Sequence, residues 1–391
     1  MFIKRILETK LQSAVATFPI TALTGPRQSG KTTLVRQCFP KWKYVSLEDL
    51  DMRVFAQNDP RGFFATYNDK VIIDEAQRVP AIFSYLQGVV DKNKKSGQFI
   101  LTGSQNFLLH EKIGQSLAGR VSLLHLLPFG IHELSEAKVP FDRYKEYIFK
   151  GFYPALYETA VNPRDWYLNY IQTYIERDVR LIKNITDLNA FQTFTQLCAG
   201  RIGQLLNLSS LAHDCGISHN TARAWLSVLE ASFVIFLLKP HHKNFNKRLV
   251  KMPKLYFYDV GLASALLGIE ESNQIDTHPL RGNLFEAMIV SELVKYRYHQ
   301  GMPLNCYFWR DKTGHEIDCV LDFSNTLTPI EIKSGETISE HYFDELRYWN
   351  TLAGADPKKS FLVYGGVGNQ TRNGVNVVGW NHTVDIFRTR T

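Results

Sequence analysis

The residues with the most specific chemistry lie near the amino terminus, where residues 25–32 read Gly-Pro-Arg-Gln-Ser-Gly-Lys-Thr. An apolar, β-rich run precedes this octapeptide and a segment of helical composition follows it, which is the setting that a phosphate-binding loop requires. Gly25 and Gly30 let the backbone wrap closely, so that N–H groups and the helix N-terminus face phosphate oxygens. Lys31 is expected to reach the β- and γ-phosphates of ATP, and the Thr32 hydroxyl to bind Mg²⁺. The predicted nucleotide-binding residues of this loop are Gly25, Pro26, Arg27, Gln28, Ser29, Gly30, Lys31, Thr32 and Thr33.

Two carboxylates end a second apolar run, Val71-Ile72-Ile73-Asp74-Glu75. Such a run is typical of a buried parallel strand, and ligands of open α/β sheets bind at the carboxyl ends of the strands. We expect Asp74 to bind Mg²⁺, directly or through water, and Glu75 to orient and deprotonate the attacking water. An acid beside the metal-binding aspartate favours hydrolysis over nucleotide binding alone. A solvated acidic strand end is the alternative interpretation.

A third strand is predicted at Phe99-Ile100-Leu101-Thr102-Gly103-Ser104. Its polar end, from Thr102 to Gln105, is expected to place a hydroxyl or amide between the γ-phosphate and the two acids. Ser104 is the residue assigned to nucleotide sensing, and a simple strand cap is the alternative.

Arg120, in Leu-Ala-Gly-Arg, is a candidate arginine finger, supplied in cis or by a neighbouring subunit to neutralise transition-state charge. A surface salt bridge explains a single arginine equally well. Arg177, in Glu176-Arg177-Asp178, is a second candidate, with helix-surface salt bridges as the favoured alternative.

The motifs Gly-Pro-Arg-Gln-Ser-Gly-Lys-Thr, Ile-Ile-Asp-Glu-Ala-Gln, Leu-Thr-Gly-Ser-Gln and Leu-Ala-Gly-Arg resemble the AAA-type ATPase core of a large bacterial and archaeal family. In that family the core is fused to a C-terminal region of unknown function, and the resemblance covers nearly the whole chain. It implies a P-loop fold that uses ATP and Mg²⁺. We expect a homo-oligomer, with a hexameric ring as one arrangement.

Composition fits a soluble globular protein of two or three domains. The chain has 391 residues, a formal net charge of +7 and a pI near 9.0, which is compatible with a polyanionic partner. No run reaches the length of a membrane span, and the first residues turn polar too soon for a signal peptide. The cysteines are scattered without metal-binding spacing, which favours reduced thiols and a cytoplasmic location.

The expected fold class is α/β, with three domains. Residues 1–135 alternate strand and helix patterns and predict a parallel-sheet P-loop core. Residues 136–275 predict a helical connector followed by a winged helix: helices on either side of Gly216, then two apolar strands with a basic stretch between them. That basic stretch, residues 239–251, is expected to contact DNA phosphates. Protein contact is the alternative for this domain.

Residues 276–391 carry a second set of ionisable residues. Glu286 lies early in a predicted helix, Asp318 on a strand, and Glu331 and Lys333 share one face of the next strand. This order resembles the PD-(D/E)xK nuclease superfamily, whose fold is that of restriction endonucleases. The resemblance implies a second Mg²⁺ or Mn²⁺ held by the three acids, with Lys333 polarising the scissile phosphate or positioning the attacking water. A nuclease-like fold retained for DNA binding or assembly is the competing interpretation.

Two classes of function remain after sequence analysis. In the first, ATP hydrolysis drives remodelling or processing of duplex or branched DNA, with a nuclease-like domain that grips or cuts it. In the second, the protein is an ATP-dependent conformational switch that acts on protein partners. The acidic set and the basic stretch favour the first class.

Overall fold

The structure is a computed structural model that describes residues 3–104, 117–139, 141–175, 187–242, 250–324 and 326–388. Gln105, Arg177 and the part of the basic stretch from 243 to 249 lie outside the described residues. The chain divides into two compact units. The amino-terminal unit comprises Met1–Phe129, Ala231–Phe233 and Arg297–Met302, and the carboxyl-terminal unit comprises Gly130–Glu230, Val234–Tyr296 and Pro303–Thr391. The second and third predicted domains therefore fall in one unit except for Ala231–Phe233 and Arg297–Met302, and their division stays a prediction.

A five-stranded parallel sheet forms the centre of the amino-terminal unit, in the order β2-β3-β4-β1-β5. Its strands are β1 (Ile20–Thr24), β2 (Lys43–Ser46), β3 (Val71–Asp74), β4 (Phe99–Gly103) and β5 (Val121–His125). Its helices are α1 (Leu7–Thr17), α2 (Lys31–Cys38), α3 (Leu50–Asn58), α4 (Pro60–Thr66) and α5 (Ile82–Asn93). The strands β1, β3 and β4 are buried along their whole length, as expected for apolar strands covered on both faces.

The parallel register brings the carboxyl ends of the strands to one edge. Thr24 at the end of β1 pairs with Gly103 of β4 and with His125 of β5, and Asp74 of β3 pairs with Ser46 of β2. Alternating side chains of the strands enter two apolar clusters, which is the consequence of the period of two along a strand. The sheet thereby fixes the polar residues that follow each strand.

The carboxyl-terminal unit combines helices, a two-stranded ribbon and a six-stranded mixed sheet. The helices are α6 (Ile131–Glu136), α7 (Tyr144–Lys150), α8 (Ala155–Glu158), α9 (Pro163–Tyr170), α10 (Leu188–Ala199), α11 (Leu208–Asp214), α12 (His219–Ala231), α13 (Val260–Leu266), α14 (Arg281–His299) and α15 (Asp344–Ala353). The strands are β6 (Ile235–Leu238) and β7 (Lys254–Phe257) in the ribbon, and β8 (Cys306–Arg310), β9 (Glu316–Asp322), β10 (Leu327–Lys333), β11 (Phe361–Tyr364), β12 (Gln370–Arg372) and β13 (Val375–Gly379) in the sheet. The sheet order is β12-β13-β11-β10-β9-β8.

The helix pair predicted around Gly216 is present as α11 and α12. Gly216 has φ +67°, a left-handed conformation that suits glycine at a turn. Ser218 caps α12, because its hydroxyl accepts the Thr221 N–H at 3.1 Å. One face of α12 is buried, including Trp225 and Leu229. The winged helix as a whole remains a proposal.

The described part of the basic stretch is less cationic at its surface than the sequence suggests. His241 is buried, and its Nε2 lies 3.0 Å from Asp322 Oδ2. Lys239, His242 and Lys251 are exposed. His241 therefore does not belong to a phosphate-binding tip.

No helix within the described ranges is long and apolar enough to cross a membrane.

Candidate functional site

The turn after β1 has the backbone geometry of a close-packed loop. Gly25 has φ +152°, and a Cβ at this position would lie 2.0 Å from the Leu126 carbonyl oxygen. Gly30, with φ +89°, ends the loop immediately before α2 begins at Lys31. Neither position accepts a side chain without strain, so both glycines of the motif are required by geometry.

Lys31 and its neighbours hold the loop together. Its ammonium group donates to the carbonyl oxygens of Gly25 at 3.0 Å and Pro26 at 2.7 Å, and the residue is buried. This places the positive charge against the turn that would surround a phosphate. Of the other predicted binding residues, Ser29 is buried, Arg27 is half-buried, and Gln28 and Thr33 are exposed.

Arg5, which the sequence analysis did not single out, supports the loop from the start of the chain. Its guanidinium donates to the Ser29 carbonyl at 2.9 Å and to the Leu127 carbonyl at 2.7 Å. Arg5 is only 4% exposed. Its charge therefore ties the loop to the segment that follows β5.

Asp74 lies at the centre of a group of hydroxyl donors. Its Oδ2 accepts hydrogen bonds from Thr32 Oγ1 at 2.9 Å and from the Tyr44 hydroxyl at 2.7 Å. Its Oδ1 accepts from Thr102 Oγ1. Burial and the hydrogen bond to Asp74 raise the pKa of Tyr44, which keeps its hydroxyl protonated as a donor. A hydroxyl beside a carboxylate is a donor set that fits Mg²⁺, so the predicted pair of Thr32 and Asp74 is brought together.

Glu75 adopts a strained backbone conformation beside Asp74. Its φ is +53°, in the left-handed region that a residue with a Cβ rarely adopts. Its Oε2 accepts from Gln77 Nε2 at 2.5 Å and from Ser104 Oγ at 3.3 Å. Ser104 thus contacts the acid that was expected to activate water. Gln77 was missed, although it belongs to the quoted motif Ile-Ile-Asp-Glu-Ala-Gln.

Arg120 lies at the opposite edge of the sheet from the phosphate loop. It precedes β5 at its amino end, where its carbonyl accepts the N–H of Ile20 at the start of β1. Its guanidinium donates two hydrogen bonds to the Asp91 carboxylate, at 2.6 and 2.9 Å. A role in its own nucleotide site does not fit this position. A role in the site of a neighbouring subunit stays a prediction.

The acidic residues predicted in the carboxyl-terminal unit lie together, with Glu316 as an additional member, in what we call the acidic cluster: Glu286, Glu316, Asp318 and Glu331. Lys254 of β7 donates to Glu286 Oε1 at 2.9 Å and pairs with Glu316. Lys333 pairs with Glu331 and lies 3.9 Å from Asp318 Oδ2.

Burial shapes the charges of this cluster. It raises the pKa of Glu286 to about 7, against the opposing influence of Lys254. Burial and Asp318 raise the pKa of Glu331 well above its usual range. Burial alone would lower the pKa of Lys254, but the surrounding acids raise it well above the ordinary value, so that its ammonium group stays charged.

The second metal site that the sequence predicts at Glu286, Asp318 and Glu331 stays a prediction. Throughout the described ranges, no group of three or more His, Cys, Asp or Glu side chains is placed to hold a metal ion. The physical reason is that each of the four acids already has an oxygen bonded to a lysine or to the backbone: Asp318 Oδ2, for example, accepts the Ile332 N–H at 2.8 Å. The residues therefore do not fit a Mg²⁺ or Mn²⁺ ion in this form.

Three segments of the chain match known protein families, and two known proteins resemble most of its length. Residues 17–135 match a family described as AAA domain, and residues 141–273 and 281–382 match two domains of unknown function, DUF8612 and DUF4143. Two uncharacterized proteins, Rv2008c of Mycobacterium tuberculosis and Mb2031c of Mycobacterium bovis, are each 31% identical over 343 residues. The alignment covers 86% of this chain and 75% of theirs.

Solved structures show distant resemblances. A Walker-type ATPase of Pyrococcus abyssi overlaps 66% of this chain and 94% of its own, with 14% identity and a TM-score of 0.45. The ORC2 protein of Aeropyrum pernix in its ADP form overlaps 59% and 84%, with 14% identity and a TM-score of 0.31. The chain belongs to the same family as the two mycobacterial proteins, and its amino-terminal region is an AAA domain, the P-loop ATPase type that its motifs predict.

Proposed function

We propose that this protein is an ATPase that uses ATP hydrolysis to remodel or process DNA. The observation that carries the ATPase part is the convergence of Lys31, Thr32, Asp74 and Glu75 at one edge of the parallel sheet. Mg²⁺, when bound, would neutralise negative charge on the transferring phosphate. Thr32 and Asp74 would hold it.

The remaining residues of the site position and activate the reactants. Lys31 would bind the β- and γ-phosphates, while the loop N–H groups orient them. Glu75 would accept a proton from the attacking water, with Gln77 and Ser104 holding its carboxylate. Thr102 and Tyr44 would keep Asp74 oriented toward Thr32.

Arg120 is proposed to complete the site of a neighbouring subunit in a homo-oligomer. The test mixes two inactive variants, Arg120→Ala, which has an intact phosphate loop, and Lys31→Ala, which has an intact Arg120. ATPase activity should recover in the mixture, because one interface combines both intact parts. If the mixture stays as inactive as its components, or if Arg120→Ala alone hydrolyses ATP normally, Arg120 has no such role.

The DNA part of the proposal is supported by charge and by the exposed face of α12. The net charge of +7 favours a polyanionic partner, and Asn220, Arg223 and Ser227 are exposed on one side of the helix. A helix in this position after a turn is the element that enters the major groove in helix-turn-helix proteins. The exposed Lys239 and Lys251 add cations at the ends of the ribbon strands.

The decisive experiment measures the ATPase rate without DNA and with single-stranded, duplex and four-way-junction DNA. We expect a severalfold stimulation by one form, which declines as salt increases. Lys31→Ala should abolish nucleotide binding and the rate, and Arg223→Ala should reduce only the stimulation. The exposed Arg347→Ala, on α15, is the matched control. A rate unchanged by every DNA form would contradict the DNA role.

The second candidate function is an ATP-dependent switch that acts on protein partners, with the C-terminal region as a binding or assembly module. The acidic cluster favours this candidate over a nuclease, because two lysines already bond three of its four acids. An ATPase rate insensitive to DNA, together with an oligomer insensitive to salt, would support it.

A further inference from the structure

We propose that Lys254 takes the place of a divalent cation in the acidic cluster, so that the C-terminal region is a metal-independent module. Its ammonium group bonds Glu286 on α14 and Glu316 on β9. Joining carboxylates from a helix and a sheet is the role that a metal ion would have in such a cluster. This inference is independent of the ATPase and DNA parts of the proposed function.

The position of Lys254 is built into the fold. It lies on β7, where it is 3% exposed, and it pairs with Leu238 of β6 through the backbone. Tyr256, two residues further on the same face of the strand, donates its hydroxyl to the same oxygen of Glu286. Two donors from one strand therefore saturate Glu286 Oε1.

Cations bond the acids of the cluster from several sides. Lys254 forms ion pairs with Glu286 and Glu316, and Lys333 forms one with Glu331. Arg310 Nη1 lies 2.8 Å from Glu316 Oε2. A divalent ion placed among these acids would meet the ammonium group of Lys254 at close range. Repulsion between like charges in a buried site is strong, because little water screens it.

One oxygen of the cluster could bind a cation once the repulsive charge of Lys254 is removed. Glu331 Oε2 is buried and has no hydrogen-bond partner among the described residues. In the variant Lys254→Met, which keeps a long side chain without the charge, Glu286 and Glu316 lose their shared cation. We expect this variant to gain affinity for Mn²⁺ on the order of a hundredfold, because one positive charge disappears from a buried site.

The experiment uses the full chain with Asp74→Asn, so that the phosphate-loop metal site is removed, and without nucleotide. Mn²⁺ binding is measured by titration calorimetry, and thermal unfolding is measured in Mn²⁺ and in EDTA. The Asp74→Asn chain, which is the parent of the other variants, should bind Mn²⁺ at the cluster too weakly for calorimetry to detect and should melt at the same temperature in both media. Lys254→Met should bind Mn²⁺ and melt higher in Mn²⁺ than in EDTA.

The matched control is Lys295→Met, which removes another buried lysine from its ion pair with Glu292. It should lose stability without gaining Mn²⁺ affinity. The proposal is overturned if the parent binds Mn²⁺ and Glu331→Gln removes that binding, or if Lys254→Met gains no more affinity than the control. Should Lys254→Met fail to fold even in Mn²⁺, the parent's response to Mn²⁺ and EDTA decides the question alone.

Discussion

The two groups of acids in this protein differ in whether cations are among their partners. At the nucleotide site, Asp74 and Glu75 accept hydrogen bonds from neutral groups, the hydroxyls of Thr32 and Ser104 among them. In the acidic cluster, Glu286 and its neighbours are bonded by lysines. A neutral donor orients a carboxylate without offsetting its negative charge, so that the carboxylate can still attract a metal ion. A lysine offsets that charge. The partner, rather than the number of acids, decides whether a cluster suits a cation.

The largest expected effect concerns Glu75 at the nucleotide site. Glu75→Gln should keep ATP binding and slow hydrolysis on the order of 10³-fold, because the amide cannot accept a proton from water. Fluorescent-nucleotide titration and the release of phosphate measure the two properties. The half-buried Glu8→Gln, on α1, should change neither. Hydrolysis by Glu75→Gln at the wild-type rate would refute the assignment of Glu75 as the residue that accepts the proton from water.

The next effect compares the two groups directly, through the free energy of unfolding in urea. Lys254→Met should cost about 3 kcal/mol, because it leaves two half-buried carboxylates without their shared cation. Asp74→Asn should cost about 1 kcal/mol or less, since it removes a charge whose hydrogen-bond donors among the described residues are neutral. Equal losses in the two variants would erase the distinction between the groups.

The smallest expected effect concerns Tyr44. Tyr44→Phe removes one hydrogen bond from Asp74, worth about 1 kcal/mol, while that from Thr32 remains. The Mg²⁺ concentration for half-maximal ATPase activity should rise about fivefold, with little change in maximal rate. Tyr85→Phe, at an exposed position on α5, is the control. An unchanged Mg²⁺ requirement would remove Tyr44 from the site.

The local parts of the nucleotide site could be predicted from the sequence. A glycine-rich loop between a strand and a helix, and two acids after an apolar strand, are patterns within a few residues. Tyr44 could not be found in this way, because its role depends on β2 lying beside β3 in the sheet. Sheet order is a property of the whole fold.

The acidic cluster shows the same limit more strongly. Its strands and helix were predicted where the structure has them, and so was the proximity of Asp318 and Glu331. Lys254, however, begins an apolar run and lies 32 residues before Glu286. A lysine at the start of a strand is common, and no sequence pattern near Lys254 indicates that its partner is Glu286. The expected metal site stays a prediction, because the sequence does not show which cation the acids bind.

The left-handed backbone at Glu75 has an evolutionary consequence. A residue with a Cβ at φ +53° carries a cost of about 1–2 kcal/mol that glycine would largely avoid. Selection for stability alone would therefore favour glycine or asparagine at this position. A glutamate retained there in related sequences would mark chains still under selection for turnover, and its replacement by glycine would mark lineages in which hydrolysis has been lost.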